Sequence, residues 1–247
     1  MSEPVLSVRN LTKRFGGVHA LEGVDFDLHA GEVLALAGDN GAGKSTLIKT
    51  ICGVHQANEG EIRFRGQAVS FANPRAAREA GIETIYQDLA LADNLDVGAN
   101  VFLGREPMTR RWGLFPALDR ARMAREAKRV IETLDIALPR LDRPVRALSG
   151  GQRQAVAIGR AIFWNAEVLI MDEPTAALGV PEQRKVVALI RGLKAANKAV
   201  IFISHNLADI FAVADRILVL RRGRKAGERL TAETNGDEVV KLMVGSA

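Results

Sequence analysis

The run Gly38-Asp39-Asn40-Gly41-Ala42-Gly43-Lys44-Ser45-Thr46 gathers glycines, a lysine and two hydroxyls in one short stretch. Glycines let a backbone curl until successive N–H groups point inward, a geometry that cradles phosphate oxygens. A helix opening at Lys44 adds its positive end to the same anion. Lys44 then reaches the β- and γ-phosphates of a nucleotide, and Ser45 offers its hydroxyl to Mg²⁺. The chemistry expected is phosphoryl transfer.

A second constellation completes that chemistry. Val168-Leu169-Ile170-Met171 is an apolar run that ends in Asp172-Glu173. A buried strand of this kind delivers both carboxylates at its carboxyl end, where open α/β sheets bind their ligands. Asp172 is expected to hold the metal, directly or through water. Glu173 is expected on the γ-phosphate side, polarising the attacking water as a general base. A third segment, Leu148-Ser149-Gly150-Gly151-Gln152-Arg153-Gln154, opens a further helix with a serine and two glycines, making a second anion cradle.

These residues need a scaffold of alternating strands and helices. Val5–Val8 and Val24–Leu28 read as antiparallel strands, and Glu32–Ala37 as a buried strand feeding the glycine loop. Short strands are expected at Ile62–Phe64 and Ile82–Tyr86. From Leu89 to Asn165 the pattern turns helical, with Met123, Ala127, Val130, Ile131 and Leu134 at helical spacing. Strand and helix alternate again through Val168–Met171, a helix from Pro181, Val200–Ile203, a helix from Leu207, and Ile217–Leu220. The fold class is α/β, a mainly parallel core interrupted by a helical insertion.

Composition fits this picture. The chain has 247 residues, 47% of them hydrophobic and 26% charged, as in ordinary globular proteins. One cysteine, Cys52, rules out an internal disulfide and reads as core filler. No apolar run approaches the ~20 residues that span a bilayer, and Met1–Asn10 lacks the apolar stretch of a signal peptide. The chain is therefore expected in the cytosol unless a partner holds it at a membrane. The net charge of +5 concentrates at Arg120–Arg129 and Arg221–Lys225. Such clusters suit anionic lipid or nucleic acid, or are solvated faces of a helix and a turn.

The Leu148–Gln154 segment, placed ahead of the Asp172-Glu173 strand, resembles the signature of ATP-binding-cassette (ABC) ATPases, and the resemblance covers nearly the whole chain. It implies a P-loop NTPase core with an N-terminal antiparallel β subdomain and an α-helical subdomain inserted at 89–165 of a single domain over 1–247. It implies ATP and Mg²⁺ as ligands, bound by the loop from Gly38 to Thr46. It also implies a head-to-tail homodimer, or a pairing with another cassette, in which Ser149, Gly150, Gly151 and Gln152 serve the ATP of the partner. By the same resemblance Gln87 reaches Mg²⁺ and the attacking water, His205 contacts the γ-phosphate, and Phe15 stacks on adenine, with a plain core role for Phe15 as the alternative. A GTPase reading is disfavoured because Asn197-Lys198-Ala199-Val200 lacks the aspartate that would read guanine.

Tyr86–Leu91, Asn100–Glu106 and Ala176-Ala177-Leu178-Gly179 resemble the monosaccharide-importer branch of that family, of the ribose, fructose and xylose type. The implied function is ATP hydrolysis that drives sugar uptake through separate membrane permease subunits, with an external sugar-binding protein delivering cargo. The implied location is the cytoplasmic side of the inner membrane, as a peripheral subunit with no nucleic-acid partner. An exporter motor and a soluble cassette acting on DNA or the ribosome are the alternatives. One departure stands out: Gly179 occupies the place where most cassettes carry an interface aspartate.

Overall fold

The structure, a computed structural model, describes residues 3–86, 88–111, 115–133, 141–176 and 178–245. The elements begin with β1 (Leu6–Phe15), β2 (Val18–Leu28), β3 (Val33–Ala37), α1 (Lys44–Ile51), β4 (Glu59–Phe64) and β5 (Gln67–Val69). They continue with α2 (Pro74–Ala80), β6 (Ile82–Ile85), α3 (Val97–Phe102), β7 (Met108–Arg111), β8 (Phe115–Leu118), α4 (Arg120–Thr133) and α5 (Gly150–Phe163). The chain ends with β9 (Val168–Asp172), α6 (Val180–Ala195), β10 (Ala199–Ile203), α7 (Leu207–Val213), β11 (Arg216–Arg221), β12 (Arg224–Leu230) and α8 (Gly236–Val244).

The central sheet runs β12-β11-β3-β10-β9-β6, parallel throughout except for β12, which is antiparallel to β11. Its inner strands β3, β9, β10 and β11 are apolar on both faces because both are covered, while the edge strand β12 is polar and largely exposed. In β3, Leu34 and Leu36 face the cluster built with α1 and the N-terminal sheet, while Val33, Ala35 and Ala37 face the α5, α6 and α7 side. The same alternation splits β10, with Ile201 and Ile203 on one side and Val200 and Phe202 on the other. Each such side chain contributes roughly 1.5–3 kcal/mol when fully buried.

The N-terminal strands form a second, antiparallel sheet in the order β2-β1-β4-β5, with Leu6 opposite Leu28 and Val8 opposite Phe26. This is the pairing their alternation predicts. Cys52 is buried as expected and shares a 2.9 Å hydrogen bond with the Thr84 hydroxyl. Burial pushes its thiol up to about 11.

Helices α3, α4 and α5 share a separate apolar cluster that includes Val97, Val101, Met123, Ala127, Ile131 and Val156. Leu134, also expected on that stripe, lies outside the described residues. The stretch read as helical from 89 to 165 needs one correction, because β7 and β8 form an antiparallel hairpin inside it. Pro116 explains the interruption, having no N–H for a helix ladder. Exposed ion pairs lace both basic clusters, such as Lys128 with Glu132 and Arg224 with Glu22, which fits solvated faces. Among the described residues no helix is long and apolar enough to cross a membrane.

One fully buried amide organises the loop that leads into α3. The Ala92 N–H donates to Asn100 Oδ1 at 2.7 Å. Asn100 Nδ2 donates to the carbonyls of Ala92, Leu95 and Asp96 at 3.0–3.3 Å. Asn100→Ala should leave these backbone groups buried without partners, at a cost of about 2–3 kcal/mol. Urea unfolding of the purified chain measures it, and a loss below about 0.5 kcal/mol would show that water replaces the amide.

Candidate active site

The parallel strands bring the predicted chemistry to one edge. Leu36 of β3 sits opposite Ile203 of β10, and Ile203 sits opposite Asp172 of β9. The segments that leave these strands therefore emerge together: the glycine loop after β3, Glu173 after β9, and His205 after β10.

The loop closes on α1 through Gly43, whose φ of 106° suits a residue without a Cβ. The first α1 bond runs from the Leu47 N–H to the Gly43 carbonyl at 2.9 Å. No side chain caps this helix, so its leading N–H groups face the cavity uncovered. Lys44 Nζ donates to the carbonyls of Gly38 (2.6 Å) and Asp39 (3.0 Å). Burial pulls the Lys44 ammonium below its ordinary pKa, while Glu173, Asp172 and Asp39 pull it back up. Asp172 moves the other way: burial and the Glu173 charge raise its carboxyl, against Lys44 and Lys49.

Glu173 adopts a positive φ of 54°, which is uncommon for a non-glycine residue and recurrent at functional sites. Its own N–H donates to the Ile203 carbonyl at 3.0 Å, tying the turn to β10. Its Oε2 lies 2.6 Å from His205 Nδ1, so the two predicted catalytic side chains are in contact. Behind them the Thr175 hydroxyl donates to Asp209 Oδ2 at 2.8 Å in a buried pair. Sequence reasoning missed this brace, because nothing local marks an aspartate in the first turn of α7 as the partner of a turn threonine.

A cavity of 420 Å³ joins these parts, lined by Asn40–Thr46, Asp172 and Glu173 and, from β2, by Val18, His19 and Ala20. The β2 residues were not foreseen, since only the sheet-to-sheet packing brings them here. Phe15 is cross-strand partner to Val18 and stands 45% exposed, edge-on to His55 at 5.0 Å. That exposure overturns a core role for it. Gln87 lies outside the described residues, as does Ala177.

Ser149, Gly150, Gly151 and Gln152 open α5 as expected, but away from this cavity. The Gln152 N–H donates to Ser149 Oγ at 3.4 Å, and the Ser149 N–H donates to Gln152 Oε1 at 3.0 Å, a reciprocal cap. Gly179 caps α6 without a side-chain hydrogen bond.

The arrangement accepts a polyphosphate. Uncovered helix N–H groups and Lys44 could meet such an anion, and the Ser45 hydroxyl with the Asp172 carboxylate offers oxygen donors of the kind Mg²⁺ would take. Comparison with known proteins supplies the family. A family model described as ABC transporter matches residues 21–176. The chain is 48% identical over 249 residues to the fructose import ATP-binding protein FrcA of Rhizobium meliloti, covering 99% of this chain and 95% of that one. It is 46% identical over 243 residues to the xylose/arabinose import ATP-binding protein XylG of Sulfolobus acidocaldarius, covering 98% and 95%. A solved ATP-binding cassette of an ABC transporter in its ADP conformation has a TM-score of 0.85 at 27% identity, covering 99% of this chain and 100% of that one. A nucleotide-free cassette gives 0.82 at 26%, covering 99% and 96%. With this site on this sheet and relatives of this kind along its length, the chain belongs to the ABC transporter family as an ATP-binding cassette.

Proposed function

We propose that this chain is the ATP-hydrolysing subunit of a monosaccharide importer, with residues 89–165 forming its inserted helical subdomain. The observation that carries the reading is the single cavity joining Lys44, Ser45, Asp172 and Glu173, in a chain whose full-length relatives are named for sugar import. Fructose, xylose and arabinose appear in those names, and the class they share is a small sugar.

ATP binds with its phosphates in the Gly38–Thr46 loop, and Lys44 turns from its carbonyl partners to the β- and γ-phosphate oxygens. Phe15, exposed beside Val18, offers its ring to the adenine face. Mg²⁺, held by Ser45, Asp172 and, by resemblance, Gln87, neutralises charge on the phosphates when bound. Glu173 accepts the proton of the attacking water, and His205 orients that carboxylate and reaches toward the γ-phosphate.

Ser149–Gln152 is not among the residues that line the cavity of its own chain, which supports a head-to-tail dimer with each signature closing the partner's site. Permease subunits, an external sugar-binding protein and a peripheral position on the cytoplasmic face complete the assembly. In proteoliposomes with its permease the chain should drive ATP-dependent monosaccharide uptake. Hydrolysis that no monosaccharide of a broad panel couples to uptake would overturn the sugar assignment.

Residue tests separate the steps. Lys44→Ala should weaken ATP binding and lower turnover by about 10²-fold or more, measured as phosphate release. Glu173→Gln keeps the shape but cannot take the proton, so hydrolysis should fall at least as far while ATP still binds and holds a dimer on gel filtration. Wild-type turnover in either variant would remove that residue from its role. For the shared site, Gly151→Asp is informative because a Cβ there meets Glu182 only at ordinary contact distance, 3.5 Å. Mixed with Lys44→Ala it should rebuild one complete site and recover part of the lost hydrolysis. Full activity of Gly151→Asp alone at all dilutions would argue against the sandwich.

A further inference from the structure

The back of the phosphate loop is made by a segment with no assigned role, the turn between β11 and β12. We infer that Gly223 in that turn is a positioning residue for ATP binding, because it sets the direction of the Gly43 N–H. The inference rests on the ATPase reading above.

The geometry is a joint of three backbones. The Gly223 N–H donates to the Ala42 carbonyl at 3.0 Å, and the Gly223 carbonyl accepts from the Glu22 N–H at 2.8 Å. One glycine thus ties the phosphate loop to β2. No side chain fits between the pieces. A Cβ on Gly223, where φ is +79°, would lie 2.8 Å from the Ala20 carbonyl oxygen and 3.3 Å from Leu21 Cα. A Cβ on Gly43 would lie 2.8 Å from the same Ala20 oxygen and 3.4 Å from Gly223 Cα. Three residues earlier, in β11, the Leu220 carbonyl oxygen would stand 2.4 Å from a Cβ on Gly38.

The consequence follows from peptide planarity. In the trans peptide between Ala42 and Gly43 the C=O and N–H point in opposite directions. Holding the Ala42 carbonyl outward on Gly223 turns the Gly43 N–H inward, toward the cavity that Gly43 lines. The same joint fixes the distance from the phosphate loop to Val18–Ala20, which line the other side of that cavity. Outside the joint, Arg224 braces the turn on β2 through Glu22, with Nε to Oε2 at 3.0 Å and Nη2 to Oε1 at 2.5 Å.

Equilibrium titration of the full chain with MgATP tests this, reading both the dissociation constant and the number of sites. Gly223→Ala should raise the constant by roughly tenfold, the equivalent of one misdirected hydrogen bond to a charged group, with sites per folded chain unchanged. A purely structural defect does the opposite: it lowers the number of competent sites and leaves their affinity alone. Arg222→Ala, exposed in the same turn, should bind as the wild type does, and an equal loss there would overturn a role specific to Gly223. If Gly223→Ala does not fold, Arg224→Ala carries the test. Removing that exposed brace should raise the constant by about two- to threefold, and an unmoved value overturns the inference. A wild-type chain that fails to bind ATP overturns the ATPase reading and this one with it. Normal wild-type binding with an unmoved Gly223→Ala constant overturns this one alone.

Discussion

Everything at the site depends on one electrostatic arrangement, the uncovered start of α1. A helix leaves its first N–H groups without internal partners, and proteins ordinarily cover them with a serine, threonine or aspartate. Four other helices here follow that habit: Asn73 covers α2, Asp96 α3, Ser149 α5 and Asn206 α7, whereas α6 starts behind Gly179 with a proline in its first turn. Gly43 stands in that place for α1 and offers no oxygen. The helix start is thereby kept for an anion from outside, and the glycine loop, Lys44 and both sheets are built around keeping it open.

The charges follow from that choice. Lys44 sits half-buried with its ammonium on two loop carbonyls, and burial works against its charge. Asp172 and Glu173 stand close enough to support that ammonium, while the two carboxylates repel each other and raise Asp172. In the proposed function a triphosphate with a divalent cation would relieve both tensions, the phosphates taking the lysine and the cation the carboxylate. The buried Thr175–Asp209 bond lies two residues beyond Glu173, in the turn where Glu173 holds its unfavourable φ.

Much of this was legible before any coordinates. The phosphate loop, the Asp172-Glu173 strand and the signature are contiguous in the chain, so their chemistry survives in the order of letters. The parallel strands were visible as unbroken apolar runs because both faces of the central sheet are covered. Other parts were local but overlooked. Asn73-Pro74 before α2 and Gly81 after it are ordinary helix punctuation, and Asn235 with Gly245 brackets α8 in the same way. What stayed hidden was tertiary. Val18–Ala20 reach the cavity, and Asp209 reaches Thr175, only because distant segments pack together. The β7–β8 hairpin hid because its short strands carry no clean alternation.

The strand order also decides when the site can exist. β3, which delivers the phosphate loop, pairs with β10 on one side and β11 on the other. Both partners lie more than 160 residues downstream, at Ala199–Ile203 and Arg216–Arg221. During synthesis the loop therefore leaves the ribosome long before anything can hold its strand, and its ends are joined only after a large loop has closed. A nascent chain cut short before β10 has the whole glycine-loop sequence and neither of the strands that flank β3. The support of the phosphate loop thus waits on segments made long after the loop itself.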